Sequence, residues 1–118
     1  MRWTIPILAL PLVLLAQAPP RSVQELKAFY AANCAKCHGA DGSGKAADGK
    51  QLGGMDFTDG KAMAKHSDAR MVKAIRKGIF FGVVMHPFKT RISEQEATLL
   101  VQEVLRKAEK GKVISGTE

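Results

Sequence analysis

The sequence predicts an all-α domain of three to four short helices, on three observations. Two serines stand three residues before a glutamate, Ser22 to Glu25 and Ser93 to Glu96, and each heads a stretch whose apolar residues recur at helical spacing. Between those stretches, Gly39 to Gly60 is rich in Gly, Asp and Lys and has no apolar period, which marks it as loop. No segment alternates in the two-residue rhythm of a strand, and no internal repeat is visible.

The first helix is expected to start after Ser22, whose side chain caps an amide near Glu25 while the glutamate reaches back. Val23, Leu26, Phe29 and Tyr30 form its apolar stripe, and it runs to Asn33 and Cys34. A second helix is predicted from about Asp68 to Lys77, capped by Ser67 and stopped by Gly78, with Met71, Val72 and Ile75 on its inner face. The third opens at Ser93. Ala97, Leu100, Val101, Val104 and Leu105 recur along it, Lys107 and Lys110 suit the negative end of its dipole, and Gly111 ends it. Lys112 to Glu118 reads as a loose tail.

A chain of 118 residues with net charge +7 is long enough for one small domain. Its start is set apart. Arg2 supplies a positive charge, Trp3 to Leu15 are almost wholly apolar, and Ala16-Gln17-Ala18 has the small-x-small pattern of a secretory cleavage site. Residues 1–18 therefore read as a signal peptide and 19–118 as the folded domain. Pro19 directly after the cut leaves two alternatives, cleavage at a neighbouring site or an uncleaved amino-terminal anchor. Loss of Arg2 would leave 17 of the 18 basic residues against 11 acidic ones. Such a surface suits acidic redox partners or an anionic membrane, the latter only if the leader is uncleaved, whereas dispersed charge without interleaved aromatics argues against nucleic acid.

Chemistry concentrates in Cys34-Ala35-Lys36-Cys37-His38, which uses every Cys in the chain. Two thiols at this spacing can each add across a vinyl group of one haem, while the histidine that follows is aimed at the iron from below. No second Cys pair exists that could complete a four-ligand zinc site. The motif predicts one covalently attached haem c, held through thioethers by Cys34 and Cys37, with His38 as proximal iron ligand. The alternatives are a redox-active dithiol, for which no preceding strand is visible, and a pair of inert cysteines, which the flanking Gly39, Gly42 and Gly44 disfavour. With only one Tyr, five Phe and one Trp, the core would gain from an apolar macrocycle, and Leu52, Met55 and Phe57 are candidates to touch it.

The opposite face of the iron needs a second ligand. Gly82-Val83-Val84-Met85-His86-Pro87-Phe88 lies between the second and third helices, and Met85 there is the preferred donor, since a neutral thioether stabilises ferrous over ferric iron. His86 next door would make a bis-His site, and Met55, Met63 and His66 are open to the same role by spacing.

This pattern resembles the class I cytochromes c, in particular the small single-haem bacterial forms. The resemblance spans a capped helix leading into CAKCHG, a glycine-rich loop, a short helix ending in RKGI, the segment MHPF and a last helix opened by ISEQE. It implies the cytochrome c fold, with helices wrapped around one covalently bound haem. It maps the family's thioether cysteines onto Cys34 and Cys37 and its axial ligands onto His38 and Met85. The family usually places Pro after the ligand methionine, where this chain has His86. It also often has a Pro in the loop after CxxCH, whose carbonyl accepts the proximal imidazole proton. Here no Pro lies between His38 and Met85, and a carbonyl near Gln51 and Leu52 is the expected substitute. The only Trp is Trp3, in the leader, so a tryptophan contact to a haem propionate is absent.

The implied function is that of an exported, periplasmic, monomeric one-electron carrier rather than an enzyme, cycling Fe(III)/Fe(II) between larger redox proteins. Lys36, Lys45 and Lys89 are candidates for a basic rim around the reachable haem edge. Rival readings are a haem enzyme or gas sensor with an open axial site, and a haem-free CxxC thiol oxidoreductase.

Overall fold

The protein, seen in a computed structural model, is described over residues 1–3, 6–7, 9–11 and 18–117. Most of the expected cleavage pattern at 16–18 and the leader core at 12–17 fall outside these residues. Among the described residues no helix is long and apolar enough to cross a membrane.

Five α-helices form among the described residues: α1 Val23–Asn33, α2 Ala35–His38, α3 Gly60–Ala64, α4 Asp68–Lys77 and α5 Glu94–Leu100. A π-helical turn over Val101–Leu105 continues α5. No strand is present among them, and pairing is limited to isolated bridges at Lys45–Gln51 and Ile79–Met85.

Local hydrogen bonds explain the three helices that the sequence predicts. Ser22 Oγ accepts the Glu25 amide at 3.2 Å while Glu25 Oε1 accepts the Ser22 amide at 3.2 Å. At α5 the same reciprocal pair joins Ser93 and Glu96, at 3.1 Å each way. Ser67 Oγ accepts the Arg70 amide at 3.2 Å to open α4, and Gly78 with φ 75° closes it.

Two short helices join the three that the sequence places. One is the single turn of α2 inside the CxxCH segment. The other, α3, starts on Asp59, whose Oδ1 accepts the Lys61 and Ala62 amides at 3.0 and 3.2 Å. The last helix also stops short of Gly111. Its final turn is wide, with the Arg106 amide reaching the Val101 carbonyl at 2.9 Å, and beyond it the chain folds back.

That return makes the tail part of the fold rather than a loose end. Gly111 donates its amide to Asp41 Oδ2 at 2.8 Å, and Ile114 donates to the Ala40 carbonyl at 2.8 Å. Ile114 is buried, and Gly116 lies so close to α1 that a Cβ there would sit 2.9 Å from Ala28 Cβ.

The core lies where α1 and α4 pack on α5 and its π turn. Leu26, Tyr30, Ala97, Leu100 and Val101 are fully buried, and each large apolar side chain removed from water contributes about 2 kcal/mol. Arg21 closes the top of this packing. Its backbone amide and Nε donate to Glu96 Oε2 at 3.0 and 2.7 Å, and its guanidinium lies 4.9 Å from the Phe29 ring centre.

Candidate functional site

Helix α1 delivers the chain directly into the CxxCH turn. Cys34 caps the end of α1, and the His38 amide donates to the Cys34 carbonyl at 2.9 Å, so one helical turn carries both cysteines and the histidine. Buried Tyr30 pins the turn's exit, its hydroxyl donating to the Gly39 carbonyl at 2.7 Å.

The glycine-rich loop then wraps the turn. The Gly44 amide donates to the His38 carbonyl at 2.7 Å, Gly54 to the Cys37 carbonyl at 2.8 Å, and Phe57 to the Gly42 carbonyl at 2.7 Å. Gly54 is required by this approach. A Cβ on it would strike the Cys37 carbonyl and lie 2.8 Å from His38 Nδ1.

The loop fixes the histidine in two ways. His38 Nδ1 is 3.1 Å from the Met55 carbonyl, which has only lone pairs to offer, so the imidazole donates and its Nε2 lone pair is left free. The acceptor thus lies a few residues beyond the expected Gln51 and Leu52, because the Gly54 to Cys37 bond brings the Met55 carbonyl, not those residues, to Nδ1. Phe57 stacks on the imidazole, with ring centres 4.5 Å apart and planes 19° apart. Burial lowers the His38 pKa, only partly opposed by the bond to the Met55 carbonyl, so the ring is neutral and a competent metal donor at neutral pH.

His38 faces a cavity of about 330 Å³. Met55 and Phe57 line it from the loop, His66, Arg70, Met71, Ala74 and Ile75 from the α3–α4 side, Ile79 and Met85 from the segment after α4, and Leu105 from the π turn. Arg106 holds the α3–α4 corner in place, donating to the Met63 carbonyl at 3.2 Å and the His66 carbonyl at 2.6 Å and pairing with Asp68.

Of the side chains weighed as second donors, Met85, Met55 and His66 reach the cavity. Met55 is tied to the His38 side by its own carbonyl. His86 is exposed and turned against Phe88, with ring centres 5.2 Å apart, and does not line the cavity. Met63 is buried in the core. Leu52 does not line the cavity, whereas Phe57 and Met55 do.

Cys34 is buried and Cys37 exposed, both as free thiols. Burial, together with nearby Cys37, pushes the Cys34 thiol up to about 12. A dithiol catalyst works through a thiolate at neutral pH, so this shift runs against that chemistry. Among the described residues no cluster of three or more His, Cys, Asp or Glu side chains could hold a metal ion by itself. Cys34 and Cys37 do not line the cavity, but they flank His38 in one helical turn, and an imidazole lone pair on an apolar slot that a methionine also lines fits a macrocycle that brings the iron's other ligands with it.

Helices gathered around one CxxCH turn, with a histidine and a methionine lining the same apolar slot, define a small c-type cytochrome. The comparisons agree. Residues 21–102 match the family described as cytochrome C oxidase, cbb3-type, subunit III, and the chain belongs to this family of haem-binding c-type cytochromes. Among solved structures it is similar to the KustC0563 c-type cytochrome, at 35% identity and TM-score 0.56 over 70% of this chain and 94% of that one. A mutant form of the same cytochrome matches at 35% identity and TM-score 0.53, covering 67% and 92%. No curated protein matches. The expected class I resemblance and all-α cytochrome c fold are borne out.

Proposed function

We propose that the chain is an exported one-electron carrier rather than an enzyme, binding one haem c through thioethers from Cys34 and Cys37, with His38 and Met85 as axial ligands. The haem, when bound, supplies a one-electron Fe(III)/Fe(II) couple. The observation that carries this reading is the fixed His38 tautomer. Nδ1 is committed to the Met55 carbonyl at 3.1 Å, which leaves Nε2 for the cavity that Met85 also lines.

The chain's residues have separable tasks. Phe57 and the Met55 carbonyl hold the imidazole at one orientation, so little rearrangement accompanies a change in iron charge. Met85 is anchored by the Ile79–Met85 bridge, and Gly78 allows that anchoring, since a Cβ there would lie 2.5 Å from the Met85 carbonyl and 3.0 Å from Pro87 N. Met71, Ile75, Ile79 and Leu105 give the slot an apolar lining. Two filled axial positions would leave no substrate site, which favours a carrier over a haem enzyme or gas sensor.

The test is mass spectrometry and an optical spectrum of the protein exported with a haem-attachment system. The expected results are the added mass of one haem and a weak far-red ferric band that Met85→Ala abolishes and His86→Ala retains. An unmodified polypeptide, or loss of the band in His86→Ala alone, would overturn the assignment.

A further inference from the structure

The segment joining α4 to α5 carries a knuckle whose tip, residues 80–84, belongs to neither the core nor the cavity lining. Ile79 and Met85 close its base, with the Ile79 amide donating to the Met85 carbonyl at 3.0 Å and the Met85 amide to the Ile79 carbonyl at 3.3 Å. Both of these residues line the cavity, whereas none of residues 80–84 between them does. Phe80 is 71%, Phe81 101%, Val83 79% and Val84 69% exposed.

Leaving two phenylalanines in water is unfavourable, and the backbone adds to that cost. Phe80 and Phe81 adopt φ of 54° and 55°, a left-handed conformation that bulky residues rarely take. Among the described residues the ring contact these two side chains make is an edge-on approach to each other at 6.2 Å. A conformation held against both terms points to a use outside the folded chain.

The surrounding charge says what kind. From Ala69 to Ser93 the sequence has six basic residues and no Asp or Glu. The Phe88 amide donates to the Ile75 carbonyl at 2.9 Å and the Lys89 amide to the Arg76 carbonyl at 3.0 Å, which brings the two chain segments at the root side by side. Lys77 and Lys89 leave that root exposed, and among the described residues neither has an ion pair.

We propose that this knuckle docks on an anionic lipid surface, with Phe80 and Phe81 entering the interfacial layer while Lys77 and Lys89 meet headgroup charge. A protruding apolar tip would need a matching recess on a rigid protein, whereas the interfacial zone of a bilayer admits a convex tip of any outline. Basic residues beside the tip add attraction that is lost at high salt. The inference depends neither on the amino-terminal leader nor on which residues ligate iron.

The test uses the full-length, haem-loaded protein with vesicles of phosphatidylcholine alone or mixed with phosphatidylglycerol. Amide hydrogen exchange over 79–85 reads the knuckle locally, so binding through residues 1–18 does not mask it. Exchange there should slow at least about tenfold on the anionic vesicles only, and the effect should fade with added salt. The double variant F80N/F81N should lose that protection with its haem spectrum unchanged, because asparagine tolerates the left-handed backbone. K77Q/K89Q should weaken it. Unchanged exchange, equal protection on uncharged vesicles, or full protection in F80N/F81N would overturn the proposal. Protection seen only with a soluble polyanion such as polyglutamate would overturn it too, in favour of an acidic protein.

Discussion

The rings of His38 and Phe57 lie nearly parallel, 19° apart, with centres separated by 4.5 Å. Phe57 is buried and also meets Tyr30 edge-on at 6.5 Å, so one side chain links the imidazole to the core residue that pins the Gly39 carbonyl. Phe57→Leu keeps most of the volume but removes the stack, and should cost about 1–2 kcal/mol. Denaturant unfolding of the haem-loaded variant checks this, and an unchanged midpoint would show that the stack contributes nothing to packing.

Gly54 sits against the same turn from the other side. Its amide holds the Cys37 carbonyl at 2.8 Å, and there is no room for a methyl group between that carbonyl and His38 Nδ1. Gly54→Ala must push the loop off the turn, breaking the Met55 contact to the imidazole as well. A loss of about 2–4 kcal/mol is expected, of the size of other changes that disrupt close buried packing. Thermal unfolding measures it, and a lower yield of haem-loaded protein should accompany it. Gly53→Ala is an unsuitable control, because φ there is 97°; Gly60→Ala, with open space around it and no positive φ, should be nearly silent.

Arg21 and Glu96 predict an acid dependence. The hydrogen bond from Arg21, ahead of the opposing effect of burial, holds the Glu96 carboxyl at about 2, against an ordinary carboxylate value near 4.3. A depressed folded value means that the stabilisation is complete above about 4.3 and is lost as pH falls towards about 2. Asp41 behaves alike. Burial acts to raise its pKa, but bonds from Ser43 and Gly111 outweigh that and bring it to about 2. Arg21→Ala should therefore cost about 1–3 kcal/mol at neutral pH, and the gap from the parent protein should shrink across that acid window. Urea titrations at stepped pH read this out, and a gap independent of pH would rule out the ion pair as its source.

What the sequence revealed depended on how far apart the interacting residues lie. Ser22 with Glu25, Ser67 with Arg70 and Ser93 with Glu96 interact within three residues, so their helices were readable directly. The CxxCH turn was readable for the same reason, since its chemistry lies in five consecutive residues. The acceptor for His38 is not legible locally, because the loop's path is set by bonds such as Gly54 to Cys37 and Phe57 to Gly42, between residues far apart in the chain. Helix α3 leaves little trace in the sequence, because it is five residues long and begins at a glycine, and Asp59 ahead of it is its one local signal. The segment singles out Met85, yet it takes the Ile79–Met85 bridge and the cavity lining, both long-range features, to separate it from exposed His86.

Residues 112–117 are the clearest departure from expectation, and they carry the last prediction. Their polar, glycine-containing sequence has no period to suggest packing, but Ile114 is only 8% exposed and its amide holds the Ala40 carbonyl two residues beyond His38. A Cβ on Gly42 would lie 3.6 Å from Ile114 Cδ1, so this side chain backs the glycine loop that shapes the site. Ile114→Ala leaves a cavity that this loop must collapse into or leave empty, and should cost about 2–4 kcal/mol. Val113→Ala, one residue earlier but 60% exposed, should cost under about 0.5 kcal/mol. Equal, small losses in chemical denaturation of the two variants would mean that the tail only rests on the domain; the expected difference makes it a structural support for the loop that holds His38.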